Sequence, residues 1–167
     1  MILSQKEVLS QIKKGKIKIE PFDINALGSC SYNLALGEEF AFTTNKTIKL
    51  DSGTNFKDYF KTKILKEVKL KPNDFVLAIT KEKITLSSDI AAFLSGRSRF
   101  ARLGLQVHCS SNFVHPCISN NQVFEIKNNG KNTLILKPGL KIGQIIFFQV
   151  KGKSDYQGLY KNQDKII

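Results

Sequence analysis

The apolar positions of this chain switch period once, near the start, and then stay close to a period of two. Val8, Leu9 and Ile12 recur at helical spacing. Ser4 and Glu7 stand at capping-box distance, Leu3 is placed to staple onto Val8, and Gly15 supplies a stop, so a short N-terminal helix is predicted here. IKIEPFD at 17–23 predicts a short strand with a turn at Pro21. In residues 29–42, Tyr32, Leu34 and Leu36 alternate onto one face, and Gly37 permits a bend. Residues 43–60 are polar with scattered apolar positions and predict a loop or weak hairpin around DSGTNF. Strands are predicted at 63–71 and 75–80, joined by a turn at KPND, and at Ile90–Leu94 after a turn near Ser87–Asp89. Ser98–Leu103 has room for a turn and a half of helix, which would put Ser98 and Arg102 on one face. Strands Gln106–Ser110 and Gln122–Lys127 flank an irregular loop holding Pro116. After a turn at Asn128–Gly130, strands at 132–137 and 142–150 are separated by KPGL. The tail, 151–167, is polar with two tyrosines and does not read as core.

One helix followed by about ten short strands predicts a mainly β chain, a distorted β-barrel or double-sheet jelly roll. It reads as a single domain spanning 1–167, with 151–167 as a C-terminal tail.

Composition adds limits. A chain of 167 residues with 41% apolar content, 12 Phe and no Trp suits one globular domain with a substantial core. No apolar run reaches the roughly 18 residues that a membrane span needs, so no membrane partner is expected. The opening MILSQKEVLSQIKKGK is too charged for a signal peptide. Cys30, Cys109 and Cys117 do not make a disulfide framework and point to a reducing cytoplasm. A formal charge of +12 asks for an anionic partner, either nucleic acid or small phosphates. The lysines alternate along strands, as at Lys61, Lys63 and Lys69, Lys71, which is the habit of solvated strand faces. With no aromatic RNA-binding signature, no nucleic-acid partner is expected, and a nucleic-acid-binding barrel stays as the fallback from charge alone.

The candidate chemistry is concentrated in Ser95–Glu125. Arg97, Arg99 and Arg102 are the only arginines, all other basic residues being lysines. Guanidinium forks grip phosphate through paired hydrogen bonds, and the serines and glycines among them add hydroxyls and amides, so this stretch reads as a polyphosphate site. Surface ion pairs are the plainer alternative. Glu125 lies between Phe124 and Ile126. In apolar surroundings its carboxyl would serve as acid and base near neutrality. Alternation equally allows an outward, solvated side chain beside Val123 and Lys127, and the pattern does not choose. His108, Cys109, His115 and Cys117 lack metal-ligand spacing, and Ser98 lacks a nucleophile elbow, so neither a protein-bound zinc nor a covalent serine is expected.

GRSRFARLGLQVH resembles the G-R-S-S-x-A-R-L-G-L segment of the deoxycytidine triphosphate (dCTP) deaminases, which share a fold with trimeric dUTP pyrophosphatases. SYNLALG, HPCISNNQVFEIKNNG and LKPGLKIGQIIFF resemble further segments of that family, in the family's order. The resemblance implies a homotrimer with active sites at subunit interfaces, and zinc-free hydrolysis of dCTP to dUTP and ammonia. Glu125 would be the acid/base, Ser98 would orient the water and the 4-amino group, and Arg102 would set the charge beside them. Arg97, Ser98 and Arg99 would form the phosphate-binding turn. Ser111 would help to hold the water, and the backbone of Val123 and Phe124 would read the pyrimidine. Gln144 would touch the triphosphate. Tyr156, Tyr160 and Gln163, with Lys161 standing in for a lysine that Leu159 replaces, would close over it as a lid. Mg²⁺ would arrive with the triphosphate, and dTTP is a candidate inhibitor.

The chain also departs from the family pattern. His115 stands where many of the deaminases and the related pyrophosphatases carry aspartate; in the pyrophosphatases that aspartate positions the attacking water, so its absence argues against a dUTP pyrophosphatase or a bifunctional enzyme. An imidazole there can still bond a sugar 3′-hydroxyl. Cys117, Ile118 and Asn120 replace glycine, an aromatic residue and glycine. Asn33 and Ala35 replace aspartate and arginine, and Arg99 replaces a second serine. A non-catalytic deoxynucleotide-binding relative remains the reading of a different class.

Overall fold

The computed structural model describes residues 1–166. Helix α1 spans Gln5–Lys13, with the Ser4 hydroxyl accepting from the Glu7 amide. Gly15 follows it with φ +70°, a conformation in which a Cβ would be strained. Leu3 and Val8 are both buried in the main core, as the staple requires.

Among the described residues the chain forms eleven strands: β1 Ile17–Glu20, β2 Tyr32–Thr43, β3 Phe60–Ile64, β4 Val68–Leu70, β5 Phe75–Leu86, β6 Ile90–Gly96, β7 Leu105–Val107, β8 Phe113–Val114, β9 Ser119–Asn128, β10 Leu134–Leu136 and β11 Lys141–Gln149. A one-turn helix, α2, covers Ser98–Ala101. Nine strands make one curled sheet along the path β7–β9–β5–β2–β11–β6–β8, with β1 added on β5 and β3 on β2. β4 and β10 form a separate pair. This is the mainly β, barrel-like fold with a short N-terminal helix that the alternation predicts. No helix of the described residues is long and apolar enough to cross a membrane.

The concave face carries the main core, including Tyr32, Leu34, Phe40, Phe124, Ile126 and Phe147. Gly143 belongs to it by necessity: a Cβ there would lie 2.4 Å from the Phe124 ring. The convex face is the part that positions the site. Leu77 pairs with both Glu125 and Ala41, and Ile79 pairs with Val123. Directly opposed residues in antiparallel strands share a face, so Glu125 stands beside an apolar strip. That strip, Ala41, Leu77 and Ile79, is covered by Ile166, and Phe56, Phe60, Phe75 and Val123 pack against it.

Two expectations fail here, at 63–71 and in the tail, while the loop expected at 43–60 forms as the connection between the antiparallel strands β2 and β3. The strand placed at 63–71 is two strands in different sheets, broken at residues 65–67, because β3 pairs with β2 while β4 pairs with β10. The loop at 43–60 ends in a 3-10 turn, Phe56–Tyr59, whose Phe56 packs against the convex strip. The tail is not simply peripheral: Ile166 is 1% exposed, because the convex strip would otherwise face water. Ile167, the last residue assigned to the tail, lies outside the described residues.

Candidate active site

A cavity of about 740 Å³ opens on the convex face, a volume suited to a nucleotide-sized ligand. Its polar end is the segment 108–111 together with Glu125, and its far wall is Phe56, Phe60 and the tail.

β7 stops at Val107 because His108 takes φ +79°, a rare conformation for a residue with a side chain. The turn this makes folds the following residues back over β9. The Ser110 amide then donates to Glu125 Oε2 at 2.8 Å, with the Ser111 amide and the Ser110 hydroxyl each 3.5 Å from the same oxygen. His108 locks the turn. The Glu125 amide donates to His108 Nδ1 at 3.3 Å, and His108 Nε2 donates to the Ser111 carbonyl at 2.7 Å. Those two bonds together select the Nε2–H tautomer. His108 Nε2 is 4.0 Å from Glu125 Oε1, and the His108 side chain is 4% exposed against 21% for Glu125. The carboxylate is therefore held by one oxygen, with its other oxygen beside the imidazole, half-buried at the cavity wall. The neighbouring thiol is no rival nucleophile: burial, and then the Glu125 charge, push Cys109 above its usual pKa.

Of the residues singled out in the sequence, Glu125, Ser111, His115, Val123, Tyr156, Tyr160 and Gln163 line this cavity. His115 and Tyr156 are stacked, with centroids 4.4 Å apart and planes 5° from parallel. Phe124 does not line it; its side chain is wholly in the main core, so only its backbone is left for recognition. Lys161 points its amine at Asp155, 3.2 Å away, rather than into the cavity.

The arginines are elsewhere. Ser98, Arg99 and Arg102 are exposed on and just after α2, and none lines the cavity. The helical turn itself is as predicted: the Arg102 amide donates to the Ser98 carbonyl at 3.1 Å. Gly104, at φ +87°, closes it against the 129–130 turn, where a Cβ would meet the Gly130 backbone at 2.4 Å. Arg97 is half-buried, Nη1 donating to the Lys141 carbonyl at 2.8 Å. Beside it, Gln144 donates to the Gly96 carbonyl at 3.0 Å and accepts from the Ser31 hydroxyl at 2.9 Å. Lys141 lies 2.6 Å from Asp23 and, with the Asn25 amide, holds that carboxyl below its usual value. One chain thus keeps apart a roofed carboxylate pocket and a bare guanidinium turn backed by Gln144.

Sequence reasoning treated His108 only as a failed metal ligand, and it overlooked Ser110, Phe56, Phe60 and Ile166. The signals were faint. Phe56 and Phe60 are four residues apart in a polar stretch, and FVLAIT in β5 is continuously apolar, the mark of a strand covered on both faces.

A sequence model of the dCTP deaminase-like family matches residues 2–150. The chain is 34% identical over 186 aligned positions to a dCTP deaminase of Pseudoalteromonas atlantica, covering 100% of this chain and 94% of that one. It is 33% identical over 162 residues to a dUMP-forming dCTP deaminase of a Nocardioides species, covering 93% of this chain and 84% of that one. In fold it is similar to the 2′-deoxycytidine 5′-triphosphate deaminase of Agrobacterium tumefaciens, with a TM-score of 0.70 at 18% identity over 90% of this chain and 48% of that longer one. The curled sheet, the carboxylate pocket on its convex face and these matches together place the chain in the dCTP deaminase-like family.

Proposed function

We propose that this protein hydrolyses dCTP to dUTP and ammonia. The observation that carries the reading is the clamped carboxylate: Glu125 sits at the wall of a nucleotide-sized cavity, one oxygen held by the Ser110 amide, backed by His108. In the proposed reaction Glu125 takes a proton from water as the water oxygen bonds to C4 of the pyrimidine and the C4–N3 double bond opens, and passes that proton to N3. The tetrahedral intermediate then gives its hydroxyl proton through Glu125 to the 4-amino nitrogen, C4=O forms, the C4–N4 bond breaks and ammonia leaves. Neither metal nor redox partner is needed for the balance.

The guanidinium turn completes the site from a second copy of the chain. Arg102 and Ser98 of one subunit would face the Glu125 pocket of its neighbour, and Arg97, Arg99 and Gln144 would take the triphosphate, in a homotrimer. The layout within one chain supports this, since α2 precedes β7 and the polar end of the cavity follows it, and no residue of α2 lines the cavity. Glu125 is the one carboxylate at the cavity wall, and among the described residues there is no cluster of three His, Cys, Asp or Glu side chains. Mg²⁺ would accordingly be carried by the triphosphate oxygens, neutralising charge there. dTTP would compete for the same pocket, and the three free thiols suit the cytoplasm.

Formation of dUMP is the second reading, because several relatives are dUMP-forming. His115, where the pyrophosphatases carry aspartate, favours dUTP as the end product. The test is incubation with dCTP and Mg²⁺, with products resolved by anion exchange and a dUTP control alongside. dUTP and ammonia are expected, with dUTP itself untouched. Release of dUMP and pyrophosphate would replace the first reading with the second, and unaltered dCTP would overturn both.

A further inference from the structure

The tail is held by side chains from the start of β9 beneath it. Asn120 and Gln122 are 6% and 7% exposed, yet both are fully polar at their tips. Gln122 Nε2 donates to Asn120 Oδ1 at 2.5 Å, and Asn120 Nδ2 donates to the Tyr160 carbonyl at 2.5 Å. A buried amide chain therefore runs from the wall of the cavity, which Gln122 lines, to the backbone of the tail. On either side of it the Ser119 amide donates to Lys161 O at 2.8 Å and the Asn121 amide to Gln163 O at 2.9 Å. The tail is thus paired alongside the start of β9, with Asn120 supplying the bond in between. Further along, Cys117 Sγ donates to the Ser154 carbonyl at 3.2 Å, and the Ile166 amide donates to Glu39 Oε1 at 3.2 Å.

We infer that Asn120 and Gln122 are positioning residues that keep the tail docked before nucleotide arrives, so that Tyr156, Tyr160 and Gln163 form a standing wall of the pocket. This rests on the proposed dCTP reading only for its kinetic consequence. The physical reason is the cost of burying a polar group without a partner: once Asn120 is enclosed, undocking the tail strands its amide unless water follows. A tail held only by backbone pairs along an exposed edge would open readily and order around ligand. Held from beneath as well, it meets the substrate already placed, and less of the binding free energy is lost to ordering.

The test uses Asn120→Asp, which keeps shape and replaces the donor facing Tyr160 O with an acceptor, and Asn120→Gly, which removes the side chain. The first readout is limited trypsin cleavage at Lys161 and Lys165 in the full chain without nucleotide. The native protein should resist, and both variants should be cut about tenfold faster, the effect of losing one buried hydrogen bond. The second is steady-state kinetics: KM for dCTP should rise about tenfold with kcat nearly unchanged, because the reacting carboxylate is untouched. Gln122→Met, similar in volume but without the donor, should give a smaller shift of the same kind. Rapid cleavage of the native tail that dCTP suppresses would overturn the inference, whatever the protein does to dCTP. Equal cleavage of native and variant tails would do the same. A fall in kcat with unchanged KM would instead make Asn120 part of the chemistry and not a positioning residue.

Discussion

The carboxylate pocket and the guanidinium turn of this chain are built in opposite ways. Around Glu125 nearly every polar atom is spoken for: amides from 110 and 111 converge on Oε2, His108 is bonded at both nitrogens, and the tail and the Phe56 turn roof the space. Around Arg102 almost nothing is bound. Ser98, Arg99 and Arg102 are exposed, and Arg99 lies only against the Phe100 ring, 5.5 Å from its centroid. The lesson is that a group whose orientation decides a reaction is fixed within its own chain. Long cationic side chains on a rigid turn can wait for their anion, losing rotamer freedom only when the phosphate arrives.

The sharpest way to break that contrast is to remove the acid. Glu125→Gln keeps the shape and the acceptor for Ser110 but cannot cycle a proton, and turnover should fall on the order of 10³-fold with dCTP affinity within a few-fold. Isothermal titration beside a rate assay checks it; retained turnover removes Glu125 from the chemistry. The second test asks whether the halves meet across subunits. Arg102→Ala alone should be nearly inactive, as should Glu125→Gln alone, yet co-expression of the two should restore about a quarter of native activity if each site takes its arginine from a neighbour. No recovery would mean that a site draws both halves from one chain.

His108→Ala should lower turnover about 10²-fold through misplacement of the carboxylate, with binding little changed. A matching loss of thermal stability and affinity would make His108 merely structural. The smallest effect belongs to a different carboxylate. Glu82, 4% exposed in the bulged part of β5, accepts from the Ala35 amide at 2.9 Å. Burial raises its carboxyl above the ordinary 4.5, against the pull of that bond. A raised folded pKa means that its contribution to stability is complete below the unfolded value and is lost as pH rises through the folded one. Glu82→Gln should therefore melt higher than native near pH 8, with the gap closing by about pH 4, and activity unaffected. A constant gap across pH would contradict the burial argument.

Much of this was legible in the chain. The helix cap, the alternation that makes a curled β fold and the arginine turn follow from local chemistry that a few residues decide among themselves. The Ser98–Arg102 turn formed where its spacing put it. Glu125 was undecided between core and solvent because both readings assume a sheet face that is wholly one or the other. It lies on the outer face, which other segments then cover.

What the sequence alone determined, then, was which residue types sit at which register: the carboxylate on β9, the forks on one turn, the glycines that admit close approach. Only the tertiary structure decided that Ile166 returns to cover Leu77 and Ile79, that His108 turns the chain back onto Glu125, and that the arginines stand apart from the acid. Those outcomes depend on contacts between residues far apart in the chain, set by apolar area that must be hidden from water and polar atoms that must find partners.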